Sequence, residues 1–186
     1  MSTPYKVAVL VGSLRQASIN RKLALALAEL APPSLQLELV EIGELPLYNE
    51  DIDVSPAPEA YTRFRQQVKA ADALLFVTPE YNRSVPGVLK NAIDVGSRPY
   101  GQSVFGGKPG AVLSASPGAI GGFGANHHLR QSMVFLDVYM LQQPESYLGG
   151  AGKFFDESGK LDAGIEGLLQ KFIDAYAAWV ERHVKG

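Results

Sequence analysis

Three runs of almost uninterrupted apolar residues, KVAVLVG from Lys6, ALLFVT from Ala73 and GAVLSAS from Gly110, each lead into a loop of small and polar residues and then a helix pattern. A strand that is apolar at successive positions, rather than alternate ones, has to be covered on both faces. Strands separated by helices pair in parallel, through right-handed crossovers that place helices on either side of the sheet. This repeated unit excludes all-helical bundles and antiparallel sandwiches before any single residue is considered.

The remaining segments fill in the pattern. NRKLALALAELA has helical spacing at Leu23, Leu27 and Leu30 and stops at Pro32 and Pro33. LQLELVEI alternates as a strand does, and LPLYNEDIDVSPAP reads as a loop. EAYTRFRQQVKAAD is a helix with Tyr61, Phe64 and Val68 inward, and GVLKNAIDVG is a short helix opened by Pro86 and stopped by Gly96. After the loop RPYGQSVFGGKP and the third apolar strand come the glycine-rich loop PGAIGGFGAN, the helix HHLRQSMVFLDV, the strand YMLQQ and the closing helix GLLQKFIDAYAAWVERHV. The expected fold is α/β: a flavodoxin-like three-layer sandwich with a five-stranded parallel sheet in the order 2-1-3-4-5, one domain spanning residues 1–186.

Composition narrows the function. Seventeen basic residues against 19 acidic ones give a formal charge of −2, which argues against nucleic acid or an anionic membrane as the main partner. The absence of cysteine removes disulfides, thiolate metal sites and a cysteine nucleophile. The apolar run after Lys6 is too short for a signal peptide, and no stretch approaches the ~20 apolar residues of a membrane span, so a cytoplasmic location is expected.

In a doubly wound sheet, ligands bind beyond the carboxyl ends of the strands, where the loops 12–20, 78–86 and 114–126 are expected to meet. The first, GSLRQASIN, is neither G-x-G-x-x-G nor a P-loop. Gly12 makes the turn, Ser13, Ser18 and Asn20 offer side-chain donors, Arg15 a positive charge, and the helix start adds backbone N–H groups. That set suits a terminal phosphate monoester; alternatively, Ser18 only caps the helix and Ser13 only satisfies the turn. In the second loop, Pro79, Glu80, Tyr81 and Asn82 offer peptide and polar edges to a flat heteroaromatic ring, or Tyr81 packs locally in an ordinary loop. The glycines of the third let its backbone come close to a planar ligand, or mark a flexible surface loop.

GSLRQASINRK (12–22), VTPEYNRSVPGVLKNAIDVGSRPYG (77–101), GKPGAVLSASPGAIGG (107–122) and HLRQSMVFLD (128–137) together resemble the NAD(P)H-dependent FMN reductase family, in particular its bacterial chromate and quinone reductases. The resemblance implies noncovalent FMN, with NADPH or NADH as co-substrate, and a homodimer or homotetramer. It implies phosphate binding by the first loop (Gly12, Ser13, Leu14, Arg15, Ser18, Ile19 and Asn20), an isoalloxazine bordered by Pro79, Glu80, Tyr81 and Asn82, and Ser116, Gly118, Gly121 and Gly122 over its pyrimidine end. The implied reaction passes a hydride through flavin N5 to a small acceptor (a quinone, chromate, an azo compound or free flavin), with the flavin and no side chain carrying the chemistry. The alternative is an electron carrier without enzymatic activity, which a near-neutral charge disfavours.

Arg98 and Tyr100 are candidate substrate residues reaching a neighbouring subunit's flavin, on the expectation that the loop 97–109 lies between the origins of two interface helices. The apolar excess of Met133, Val134, Phe135 and Leu136 supports such an interface, while a solvated Arg98 at a helix end is the plainer role. No metal site is expected from His127, His128 and His183, Asp51 and Asp53 read as solvated, and Phe172, Tyr176 and Trp179 read as core.

Overall fold

The computed structural model describes residues 3–184. Strands β1 (Tyr5–Val11), β2 (Leu35–Leu39), β3 (Ala73–Thr78), β4 (Pro109–Ala115) and β5 (Tyr139–Met140) form a parallel sheet in the order β2-β1-β3-β4-β5, and β6 (Ser146–Leu148) also pairs with β4. The helices are α1 (Ile19–Leu30), α2 (Glu59–Lys69), α3 (Gly87–Gly96), α4 (Phe123–Phe135) and α5 (Ala163–Val184).

The continuous apolar runs are explained by two cores, one on each face of the sheet. Val7, Val9, Leu75, Val77 and Leu113 face Leu23 and Leu27 of α1 and Phe172, Ile173 and Tyr176 of α5. The alternate positions, Leu10, Leu74, Phe76 and Val112, face Tyr61, Phe64 and Val68 of α2, Leu89 and Ile93 of α3, and Leu129 and Met133 of α4. Trp179 packs against the first of these cores from its margin: it is half-buried and donates its indole N–H to the Tyr139 carbonyl at 2.7 Å. No helix among the described residues is long and apolar enough to cross a membrane.

The fifth strand differs from the expected YMLQQ. Pairing with β4 lasts only over Tyr139–Met140, and the same edge resumes at Ser146–Leu148. Between them Pro144 has no N–H for the ladder, and the Leu141 carbonyl accepts from Arg130 Nη1 at 2.8 Å. The α4 helix starts at Phe123, four residues before the expected His127, because Gly122 supplies a left-handed residue (φ 80°) at its N-cap.

Asp53 is not solvated. Its carboxylate takes a bidentate pair from Arg65 Nη1 and Nη2 at 2.7 and 2.6 Å, with the two side chains only 3% and 15% exposed. Arg65 Nε also donates to the Val95 carbonyl at 3.0 Å, so one guanidinium ties the loop before α2 to the end of α3. Removing the carboxylate strands a buried cation, so Asp53→Ala is expected to lose about 3–5 kcal/mol of stability in urea unfolding. An unchanged midpoint would show that water replaces the carboxylate at no cost.

Candidate functional site

The first loop is built from the end of β1. The Gly12 N–H continues the ladder to the Val77 carbonyl at 2.9 Å, and a Cβ on Gly12 would overlap the Thr78 hydroxyl, so only glycine fits where β1 and β3 end side by side. Ser13 is nearly buried, while Leu14 and Arg15 are exposed. Ser18 is the N-cap of α1: its Oγ accepts the Arg21 N–H at 3.1 Å, and its hydroxyl hydrogen remains free to donate. The N–H groups of Ile19 and Asn20, in the first turn, have no acceptor within the helix. That turn carries no acidic residue, and Arg15 forms no ion pair among the described residues.

Asn20 is placed differently from the expectation that its amide donates to an anion. Its Nδ2 donates to the Ala115 carbonyl at the end of β4, at 3.2 Å, and its buried Oδ1 has no partner. A free acceptor repels a phosphate and calls for a hydroxyl or N–H donor.

In the second loop, Tyr81 and Ser84 exchange backbone hydrogen bonds of 3.1 and 3.0 Å around Asn82 and Arg83, both left-handed (φ 50° and 64°), making a tight two-residue turn. Both oxygens of the Glu80 carboxylate are engaged within the chain. One oxygen accepts the Ala125 N–H at 3.0 Å in the first turn of α4, and the other accepts from Arg83 at 3.1 Å. His128 Nδ1 lies 3.0 Å from Ser84 Oγ, locking the same turn to α4, while His127 meets the Tyr147 hydroxyl at 3.0 Å. Tyr81 is left half-exposed.

The glycines of the third loop answer to internal packing. Gly121 and Gly122 have φ of 61° and 80°, and a Cβ would lie 2.5 Å from the Tyr147 backbone at the first and 3.0 Å from Ser114 Cβ at the second. A Cβ on Gly124 would lie 2.8 Å from the Arg83 carbonyl oxygen. Gly118 alone of the four has room, and its N–H donates to Ser116 Oγ at 3.2 Å.

A depression of about 410 Å³ opens at the carboxyl ends of β1 and β3, lined by Gly12, Leu14, Arg15, Tyr81, Pro86, Gly87 and Val88. The sequence pattern marks Pro86, Gly87 and Val88 only as the start of a helix; that they begin four positions after TPEYN is the one local signal of a place in the site. Ser116 and Gly118 do not line this depression. They stand beyond the end of β4, whose Ser114 pairs with Thr78.

Arg98 and Tyr100 lie elsewhere. Their loop follows the C-terminus of α3 rather than the origin of any interface helix, and the ten residues of α3 separate the two ends by about 15 Å. One chain therefore does not bring them to the three loops. They sit by a larger depression of about 780 Å³ where Arg65 pairs with Asp53 and the half-buried Lys108 ammonium donates to the carbonyls of Lys69 and Ala71. Tyr100 is fully outside, with Arg98 6.0 Å above its ring.

The sequence profile of the NADPH-dependent FMN reductase family matches residues 5–153. A quinone reductase of Pseudomonas putida is 64% identical over 181 residues, 97% of each chain. A 2-hydroxy-1,4-benzoquinone reductase of a Burkholderia species is 52% identical, over 94% of this chain and 96% of that one. The solved structure of FerB, a flavoenzyme NAD(P)H:(acceptor) oxidoreductase from Paracoccus denitrificans, superposes with a TM-score of 0.90 at 42% identity, covering 96% of this chain and 98% of that one. With a family match running from the first strand past the last and a relative 64% identical over 97% of the chain, the chain belongs to the NADPH-dependent FMN reductases.

Proposed function

We propose that this protein is an NAD(P)H-dependent quinone reductase that holds FMN across the ends of β1, β3 and β4. The observation that carries the reading is the contrast between two helix termini at one sheet edge. Glu80 already occupies the start of α4, whereas the start of α1 keeps unpartnered N–H groups, a free Ser18 hydroxyl hydrogen and an unpaired Arg15. The open terminus is fitted to a phosphate dianion. The orphaned Asn20 Oδ1 suits a ribityl hydroxyl, and the depression beside Leu14, Tyr81 and Val88 suits the ring. When bound, FMN supplies hydride transfer, so that NAD(P)H, a proton and a quinone become NAD(P)⁺ and a hydroquinone.

In this reading Ser13, Arg15 and Ser18 hold the phosphate together with the N–H groups of Ile19 and Asn20. Pro79, Tyr81 and Asn82 border the ring through their backbone, and Glu80 acts indirectly by fixing that turn on α4. Ser116, Gly118 and the packed turn at Gly121 and Gly122 close the side beyond β4. The P. putida and Burkholderia relatives, named for quinone reduction, support a quinone as acceptor, and the family supports NADPH or NADH as donor. Work in the cytoplasm belongs to the same reading.

The reading also includes a homodimer, or a tetramer built from such dimers. Val134 and Phe135 are 74% and 77% exposed beside a groove of about 330 Å³ between α3 and α4 that also reaches Ile93 and Arg98. A two-fold axis across α3 lays two copies antiparallel, so the Arg98 end of one meets the Val88 end of the other. In that arrangement Arg98 and Tyr100 approach the neighbouring flavin.

The purified protein is expected to carry about one FMN per chain, identified by chromatography after denaturation. Arg15→Ala is expected to weaken FMN binding to apoprotein roughly 10- to 100-fold, as for loss of a charge-assisted hydrogen bond. FAD as the extracted flavin, or an unaltered Kd, would contradict the phosphate assignment. Because donor and acceptor use one open face in turn, double-reciprocal plots at several quinone concentrations are expected to be parallel; intersecting lines would require two sites. Sedimentation is expected to show a dimer or larger, with Arg98→Ala raising the KM for NAD(P)H or an anionic acceptor while FMN content stays intact. A fully active monomer would refute the shared site.

A further inference from the structure

Residues 43–48, GELPLY, follow the edge strand β2 and belong to none of the three loops at the carboxyl ends of β1, β3 and β4. Their backbone is nevertheless held by buried side chains from two helices. Asn91 of α3, 7% exposed, accepts the Tyr48 N–H on Oδ1 at 2.8 Å and donates from Nδ2 to the carbonyls of Leu45 and Pro46 at 3.2 and 2.9 Å. Tyr61 of α2, fully buried, donates its hydroxyl to the Leu47 carbonyl at 3.0 Å, and the Tyr48 ring stacks on it at 6.2 Å. Leu45 is buried, whereas the side chain of Leu47 is 81% exposed.

Two residues that line the depression adjoin this segment or its anchor. Leu14, one of the two, packs on Gly43 so closely that a Cβ there would lie 2.9 Å from Leu14 Cδ2. Val88, another lining residue, lies three positions before Asn91, on the same face of α3. A single exposed leucine is ordinary. A leucine held outward on backbone pinned by two buried side chains, in a segment whose Gly43 packs on a lining residue of the depression, is a preformed apolar contact that needs no ordering when a ligand arrives.

We propose that residues 45–48 form a rigid rim of the acceptor pocket, that Leu47 is the contact selecting apolar ring acceptors, and that Asn91 is its positioning residue. The proposal rests on the reading of the protein as a quinone reductase. The test compares an apolar quinone, menadione, with a hydrophilic anionic acceptor, ferricyanide, using the FMN-loaded enzyme and NAD(P)H. Leu47→Asp, at an exposed position, is expected to lower kcat/KM for menadione about tenfold, the scale on which a pocket distinguishes ligands by a single small apolar group. Its kcat/KM for ferricyanide, its KM for NAD(P)H and its FMN content are expected to change less than about twofold, since a rim residue takes no part in flavin binding or hydride donation. Asn91→Ala is expected to raise the menadione KM with kcat retained. Equal changes for both acceptors, or none, in Leu47→Asp would overturn the rim alone. Loss of FMN from Asn91→Ala in place of the KM shift would overturn the positioning role. No reduction of either acceptor by the unsubstituted protein would overturn both the rim and the function on which it rests.

Discussion

The site depends on the parallel register of β1, β3 and β4. Val11 lies opposite Val77, and Thr78 opposite Ser114, so the three strands end within a residue or two of one another. Both faces of this ladder are covered by helices, which leaves the loops only the sheet edge to occupy. Gly12 records how tight that edge is, since a single Cβ there would collide with Thr78. Convergence of distant segments is thus a consequence of hydrogen-bond register rather than of any attraction among the loops.

Helix termini then divide the edge electrostatically. Both α1 and α4 direct a positive dipole end and unsatisfied N–H groups towards it. At α4 the Glu80 carboxylate satisfies that demand from within the chain, assisted by Arg83. At α1 the cap is the neutral Ser18, and the first turn carries no acid. An anion arriving at this edge therefore finds the α4 terminus neutralised and the α1 terminus open, beside the hydrogen-bonded turn at Tyr81.

Rigidity is also the common property of the surrounding loops. The turn at 81–84 is held by its own backbone pair and by two hydrogen bonds to α4, the turn at 121–122 by close packing on Tyr147 and Ser114, and the segment 45–48 by Asn91 and Tyr61. The glycine-rich turn at 121–122 and the proline-containing segment 45–48, both loops by their sequence, are held by specific contacts. Loops held in this way lower the ordering cost of binding a flat ligand and suit a reaction whose bond changes belong to the cofactor.

The sequence by itself determined the layer architecture, the strand order and the serine-capped start of the first helix. Those features rest on local properties: apolar runs, helical spacing, a proline or glycine at a terminus, a serine at an N-cap. Only the tertiary structure decided how individual polar side chains are used. The Asn20 amide is engaged by a carbonyl 95 positions away, Asp53 by Arg65 of the following helix, and Glu80 by the N-terminus of α4, 45 positions on. The same holds for the broken edge at β5 and β6, for Arg98 at the far end of α3, and for the hold of Asn91 and Tyr61 on residues 45–48. A hydrogen-bonding side chain in a loop has many equivalent partners along the chain, and which one it meets is set by packing between elements that no local pattern encodes.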